Sequence, residues 1–404
     1  MNAAPLVIVT HILHPAITKG FLPAAHRLGV PVVLLTDYRL SHLEYFSQNP
    51  SFAPLEIIEC DVFNPISIIN ALHGAGIQPV AIFSNSDHLQ ASTALAAEYF
   101  GLPAKDWRVC YAAKNKAAMR QRLRERNLSS PWFQALMPGQ MVPVDAPYPL
   151  IVKPREGVAS LDVHLCENVD DARYYVEQFW QRQPGHALLL EGYMRGPLFT
   201  LETLGDGERT AAICGFDVDL SEAPHFIELE ARWNGSVSSH ARQEALAQVI
   251  AFGVGFGVCH SEFILTEDGP VLVEINYRSI GDGREFMLDR VYDGRWFESI
   301  LRLHLGEPRA LESPTWQNAM VRYYVADRAG RLEHVTDDHE QSFERAHATY
   351  HSFRHKGDDV HLTRSNKDYL GMLSVIAESE IDLAQAVAHM EPQLGWKMDS
   401  ERRA

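Results

Sequence analysis

The sequence predicts a mixed fold class, an α/β layer followed by an α+β body, on three observations. In the first hundred residues, β-branched runs alternate with helix-like stretches. Runs that are apolar on both faces and separated by helices belong to a parallel sheet covered on both sides. After Pro103 the alternation gives way to strand, loop and strand with fewer helices between. Finally, HSEFILTEDGPVLVEINYR, residues 260–278, reads as an antiparallel hairpin, two apolar runs about a turn at Asp268-Gly269-Pro270. A chain of 404 residues exceeds one typical core, so two or three domains are expected.

Composition narrows the function. Apolar residues make up 46% and charged residues 22%, as in an ordinary globular protein. A net charge of −16 argues against a nucleic-acid partner and leaves room for one local basic pocket. The five cysteines are scattered, odd in number and form no CxxC, which argues against a disulfide framework or a zinc cluster and predicts a reducing, cytoplasmic setting. The opening MNAAPLVIVTHILHP has an apolar run without a basic flank, so it reads as a first strand rather than a signal peptide. No apolar run is long enough to span a membrane, and no membrane partner is expected.

The elements follow in order. PLVIVT (5–10), VPVVLLTD (30–37) and PVAIFSNSD (79–87) are strands, with AITKGFLPAAHRLG helical between the first two. The turn after the first strand, His11-Ile12-Leu13-His14-Pro15, lacks the GxGxxG of a dinucleotide site. Ser84-Asn85-Ser86-Asp87-His88 closes the third strand, where it is either a ligand contact or a helix cap. KNKAAMRQRLRERN (114–127) is a basic helix with Met119 and Leu123 on one face. YPLIVKPREGVASLDVHLC (148–166) reads as strand, loop and strand. DARYYVEQFWQR (171–182) is a helix with Ala172, Val176 and Phe179 inward, and HALLLEGYM (186–194) and LFTLETL are further strands. HARQEALAQVIAFGVGFG (240–257) is a helix with a stripe of Leu246, Val249 and Ile250. Its Gly253-Val254-Gly255-Phe256-Gly257 follows a helix, so it reads as a C-cap and turn rather than a dinucleotide loop. Beyond Pro314, AMVRYYVAD is a strand, SEIDLAQAVAHM a helix and WKMDSERRA a frayed tail.

The chemistry concentrates in the hairpin and the region before it. Glu274 and Asn276 are two apart on a strand and share a face, and Glu262 stands across the hairpin from them. Two carboxylates and an amide oxygen form a hard donor set, suited to Mg²⁺ (or Mn²⁺) carrying a polyphosphate rather than to zinc. Lys153 ends a strand and precedes the small-residue loop Arg155 to Ser160, whose backbone N–H groups can cradle phosphate, although GxxxxGK[ST] is absent. Lys116 opens the basic helix. Glu191-Gly192-Tyr193-Met194 lies where a strand gives way to Gly196-Pro197, a crossing that offers backbone groups to an adenine edge with Met194 against the base. The pairs His11/His14 and His351/His355, the latter spaced for a helix, have no third metal ligand.

Lys116, Lys153 with its loop to Ser160, Glu191 and Glu262/Glu274/Asn276 occur in an order that resembles the ATP-grasp superfamily, through most of the chain. The resemblance implies an ATP-grasp architecture: a Rossmann-like pre-ATP-grasp domain over 1–111, a mobile lid over 112–195, a metal-bearing α+β lobe over 196–310 and an α+β closing region over 311–404. It further implies that Lys116, Lys153 and Ser160 contact ATP phosphates, that Glu191, Tyr193 and Met194 meet the nucleotide base, and that Glu262, Glu274 and Asn276 hold magnesium. Arg278 completes the Asn-x-Arg of many members, there stabilising charge on the transferring phosphoryl group or acyl phosphate. His260-x-Glu262, Asp268-Gly269-Pro270 and Glu274-x-Asn276-x-Arg278 look most like the L-amino acid ligases and related natural-product enzymes. KGDDV, SNKDYLGMLSVIAES and AQAVAHM resemble their closing domain. The expected activity is an ATP-dependent carboxylate–amine ligation through an acyl phosphate, making a dipeptide or a siderophore-type amide. Lys153 and Arg278 would be catalytic, His260, Arg278, Asp282 and Glu285 would meet substrate, and a homodimer is expected from relatives. The alternatives are another acyl-phosphate enzyme of carboxylase or carbamoylating type, a non-catalytic nucleotide-binding module, and a nicotinamide oxidoreductase. Three departures stand out: Leu198 where the family places a ribose-binding glutamate (Glu202 is near but out of place), Ser279 to Glu285 in place of a glycine-rich run, and a lid loop with one glycine.

Overall fold

A computed structural model describes residues 4–157, 159–307 and 313–399. The chain opens with β1 (Leu6–Val9), α1 (Leu22–Arg27), β2 (Val32–Thr36), α2 (Arg39–Gln48), β3 (Glu56–Glu59), α3 (Pro65–Gly74), β4 (Ala81–Phe83) and α4 (Gln90–Tyr99). The four strands form a parallel sheet in the order β3-β2-β1-β4. Alternate residues of β1 and β2 serve different cores. Leu6, Ile8 and Leu34 join the large central cluster, whereas Val7, Val9, Val33 and Leu35 pack with α3 and α4 residues such as Ile68, Leu72 and Ala96. That two-sided burial is why these runs are apolar at every position. The edge strand β3 was not expected; two of its four residues are exposed acids, which hide it.

After α5 (Trp107–Lys114) and α6 (Lys116–Glu125), four strands form a second, antiparallel sheet: β5 (Phe133–Leu136), β6 (Leu150–Pro154), β7 (His164–Cys166) and β8 (Leu188–Gly192), in the order β5-β8-β6-β7. Helix α7 (Val169–Arg182) covers it with Ala172, Val176 and Phe179, the three positions its periodicity indicates.

The third sheet is the frame of the molecule. It contains β9 (Leu198–Asp206), β10 (Thr210–Cys214), β11 (Phe216–Leu220), β12 (Glu228–Trp233), β13 (Phe256–Thr266), β14 (Gly269–Asn276), β15 (Asn318–Val325), β17 (His339–Ser342), β18 (Ala346–Ser352) and β20 (Tyr369–Ala377). The order is β14-β13-β9-β11-β12-β15-β20-β18-β17, with β10 beside β9. The expected boundary at 310/311 falls outside the described residues, but on either side of it β12 pairs with β15, so one sheet runs through both regions. β16 (Gly330–Val335), β19 (Asp359–Val360) and β21 (Trp396–Asp399) make a small separate sheet. The frayed tail is thereby corrected: residues 396–399 pair with β16, and Met398 is buried against Leu332. Residues 400–404 lie outside the described residues.

The remaining helices are α8 (Ser236–Phe252), α9 (Arg284–Val291), α10 (Trp296–His304) and α11 (Glu380–Met390). The stripe expected on α8 holds at Val249 and Leu246 and is corrected at Ile250. Ser238, Ala241, Ala245, Val249 and Phe252 are buried, while Ile250 is 47% exposed. Small residues let α8 lie close on β9 and β14, and that close approach selects the face. Gly253 caps α8 in the left-handed region, φ +113°, as the C-cap reading requires. His351 sits on strand β18, not on a helix, and bonds Asp338. Among the described residues no helix is long and apolar enough to cross a membrane.

Candidate functional site

The register of β13 on β14 sets His260 opposite Asn276 and Glu262 opposite Glu274. On the other side, β9 sets Glu202 opposite His260. Residues two apart share a face, so one patch of sheet carries Glu202, His260, Glu262, Glu274 and Asn276. The tools of the patch are interlocked. His260 Nδ1 is 2.7 Å from Glu202 Oε1 and Nε2 is 3.3 Å from Glu262 Oε1, while Asn276 Nδ2 donates to Glu262 Oε1 at 3.4 Å. Burial alone would lower the His260 pKa, but the Glu202 charge and hydrogen bond outweigh it and raise it to about 9. Glu202 Oε1 takes both His260 and Thr200, and Glu202 does not line the cleft described below, so it stands away from any ribose role. The donor set fits a hard divalent cation: two carboxylates directly opposite on paired strands, with an amide oxygen beside them.

Two lysines reach this patch from different elements. Lys116 starts α6, whose N-cap Asn115 accepts from Ala118 N–H, and its Nζ lies 3.0 Å from Glu274 Oε1 and donates to Gly157 O at 2.8 Å. Lys153, on β6, is buried, with Nζ 2.7 Å from Glu191 Oε2. Glu191 also takes Arg120 Nε at 2.5 Å. Burial would raise the Glu191 pKa, but Arg120 and Lys153 together hold it down at about 2. The Glu191 carboxylate therefore turns inward to these two cations. The N–H groups of Gly192 and Tyr193 donate to the carbonyls of Trp132 and Pro149.

A cleft of about 150 Å³ lies beneath the second sheet. Lys116, Lys153, Glu262 and Glu274 line its polar end, and Ile151, Met194, Leu198, Phe226 and Ile264 its apolar walls. Leu198, the family departure, is one of those walls. Ser160 lines the cleft from the loop after β6, where Ala159, Ser160 and Asp162 take left-handed φ between +54° and +56°. Glycine usually fills such positions; here short side chains do. Ala159 O also accepts from Asn366 N–H at 3.2 Å, joining this loop to the C-terminal region.

A second cavity of about 100 Å³ continues from the patch and holds Arg278, Asp282 and Arg284. Arg278 is gripped by Asp87: Nε donates at 2.9 Å, and Nη2 lies 2.8 Å away. Ser279 N–H donates to Asn85 Oδ1 at 3.1 Å. Burial works against the charge of Arg278, and Asp87 restores it, leaving its pKa above the usual value. The SNSD cluster thus meets the arginine of the site; Ser86, at the head of the short helix after β4, makes no side-chain cap. Glu285 does not line this cavity but the next one.

Four residues escaped the sequence reading. Arg120 is fully buried and bonds the carbonyls of Leu272 and Val273 as well as Glu191, so it ties α6 to the second sheet and the hairpin. Its signal was available: with Lys116, Met119 and Leu123 it lies on the buried stripe of α6. Asp87 was visible as a motif but not as the partner of Arg278. Glu228 lines both cavities and lies 2.8 Å from Arg284 Nη2, a contact between residues far apart in sequence.

Residues 113–282 match the ATP-grasp domain family. The matched stretch is the part that carries the second sheet, the hairpin and the cleft between them. The whole chain superposes on the crystal structure of an L-amino acid ligase from Bacillus licheniformis with a TM-score of 0.76 at 18% identity, covering 98% of this chain and 99% of that one. It is 24% identical over 334 residues to the uncharacterized protein y4rH of Sinorhizobium fredii, covering 78% of this chain and 67% of that protein. It is 24% identical over 272 residues to carnosine synthase 1 of Gallus gallus, covering 61% of this chain but only 29% of that longer protein. The match to the ATP-grasp domain lies within residues 113–282, and the likeness of the whole chain to the solved structure is one of fold.

Proposed function

We propose that the protein is an ATP-dependent carboxylate–amine ligase working through an acyl phosphate. The carrying observation is convergence: Lys116 and Lys153 enter the polar end of one cleft beside Glu262 and Glu274, and Arg278 stands in the cavity that continues from it. ATP would lie with its base between Met194, Leu198 and Ile264 and its phosphates toward Lys116, Lys153 and the loop at Ser160. Tyr193 lines the same cleft. Magnesium, held by Glu262, Glu274 and Asn276, would neutralise charge on the phosphate oxygens. An oxygen of the substrate carboxylate attacks the γ-phosphorus, and ADP leaves. Lys153 and Arg278 meet the charge that develops, which is chiefly a task of position and electrostatics. His260, bridging Glu202 and Glu262, holds Glu262 in place and lines the cavity where the carboxylate arrives. An amine then attacks the acyl carbon and releases phosphate. The likeness to an L-amino acid ligase and to carnosine synthase supports an amino acid as one partner, the product being a dipeptide or an amide of siderophore type. A homodimer is part of the same proposal.

The test is a panel of carboxylates and amines with Mg·ATP, reading ADP, phosphate and pyrophosphate. Phosphate and ADP released only when both partners are present is the expected result. AMP with pyrophosphate would remove the acyl phosphate. Bicarbonate as the only accepted acid would favour a carboxylase. Glu274→Ala and Asn276→Ala should each lower turnover by at least 100-fold while the far-ultraviolet circular dichroism stays unchanged.

A further inference from the structure

A third and larger cavity, about 570 Å³, lies between the loop after β1, helix α9 and the face of β18 and β20. It joins the cavity of Arg278 at Asp282 and Asn366, which line both. Its lining is divided by chemistry. Asp282 and Glu285 are its acids nearest Arg278, whose charge each of them feels. Phe286, Phe353, Tyr369 and Met372 give it an apolar side. Lys19, Arg354 and Lys367 line it too, and among the described residues none of the three has a carboxylate at ion-pair distance. On a chain of net charge −16, these three cations without an acid beside them leave one side of the hollow positive, Arg354 being held by the carbonyls of Lys367 and Tyr369.

Glu285 is the second observation. It stands in the first turn of α9, is 2% exposed, and its Oε2 has no hydrogen-bond partner among the described residues. A buried carboxyl oxygen left unmet is unfavourable, and a donor brought by a ligand removes that penalty. Burial also pushes its pKa up to about 7, so near neutrality it exchanges a proton readily. A volume of this size exceeds what the smallest amines need and falls in the range of sites that enclose drug-sized molecules.

We propose that this chamber receives the amine substrate, a zwitterion with a bulky apolar or aromatic body, its ammonium at Glu285 and its acid group toward Lys19, Arg354 and Lys367. The inference rests on the ligase reading above. The ammonium gives one proton to the Glu285 carboxylate. The freed lone pair forms the C–N bond at the acyl carbon, the bond from that carbon to the phosphate oxygen breaks, and one of the two remaining N–H protons leaves with the phosphate as hydrogen phosphate.

The experiment has two arms on the full chain. In the first, calorimetry without ATP measures binding of phenylalanine, with glycine as the small control and phenethylamine as the control without an acid. Phenylalanine should bind at least tenfold more tightly than either, and Glu285→Gln should weaken it at least tenfold. Equal binding of the three ligands, or no change in Glu285→Gln, overturns the proposal. In the second arm, hydroxylamine, a small nucleophile that is neutral at pH 7, traps the acyl phosphate. Glu285→Gln and Thr349→Trp, which narrows the chamber from β18, should lower ligation of bulky amines at least tenfold more than they lower hydroxamate formation. Equal losses in both would mark Glu285 as structural and overturn its role. No hydroxamate from any acid in the unaltered protein would sink the ligase reading instead, and the calorimetric arm would still judge the chamber.

Discussion

At the scale of single residues, the site is held by buried charges that neutralise one another. Arg120, Glu191 and Lys153 form a triad in which every member is buried and each charge depends on the others. Removing one partner of such a group strands the rest. Arg120→Leu should therefore destabilise the protein by about 3–5 kcal/mol in urea melts, against well under 1 kcal/mol for an exposed neighbour such as Arg124→Leu. The same triad fixes a pH effect. The carboxyl of Glu191 is held at about 2 in the folded protein, below the 4.5 of an ordinary glutamate. A depressed acid stabilises the fold above its unfolded pKa, and the contribution is lost as pH falls toward the folded value. Stability should thus decline from about pH 4.5 downward, with about 3 kcal/mol from this group, and urea melts of Glu191→Gln over the same range should show a shallower slope. Lys153 and Glu191 were legible because they punctuate apolar strands. Arg120 was read only as one residue of a basic helix, since a cation on an amphipathic stripe looks like any other helix charge until its acid is located in space.

At the scale of elements, hairpin and helices were legible where one face is plainly apolar, and hidden where packing geometry chose the face. In β13 and β14 the polar pairs His260/Glu262 and Glu274/Asn276 are each two apart beside apolar runs, so their shared polar face was foreseeable. Helix α8 was misread at Ile250 because Ala241, Ala245 and Ser238 extend the buried face beside Val249 and Leu246, and Ile250 falls outside it. β3 and β21 are short edge strands with exposed charges, where composition gives little sign of pairing. The link between the second and third sheets offers a direct check. Gly196 has φ +149°, and a Cβ there would stand 2.1 Å from Leu265 O, a backbone atom with no room to yield. Gly196→Ala should cost about 2–4 kcal/mol. Thermal melts would register it, whereas Gly185→Ala, with open space around it, should show only the smaller cost of its left-handed backbone.

At the scale of the whole molecule, one sheet carries the cleft, the cavity of Arg278 and one wall of the large chamber. β12 and β15 meet although three helices and the hairpin separate them in sequence, and no local pattern announces that pairing. The C-terminal region is therefore no appendix. Ending the chain at residue 307 would strip β15 from β12 and leave a long unpaired edge, which invites association between copies. Such a truncated chain should be recovered mainly as aggregates by size-exclusion chromatography, and a clean monomer would refute the dependence. The layer formed by β1 to β4 is bound in as well, through the hold of Asp87 on Arg278. Anyone building a chimera by exchanging that front layer for a relative's inherits this constraint. The transplant has to bring its own acid to the same spot, or the guanidinium it is meant to steady will swing loose.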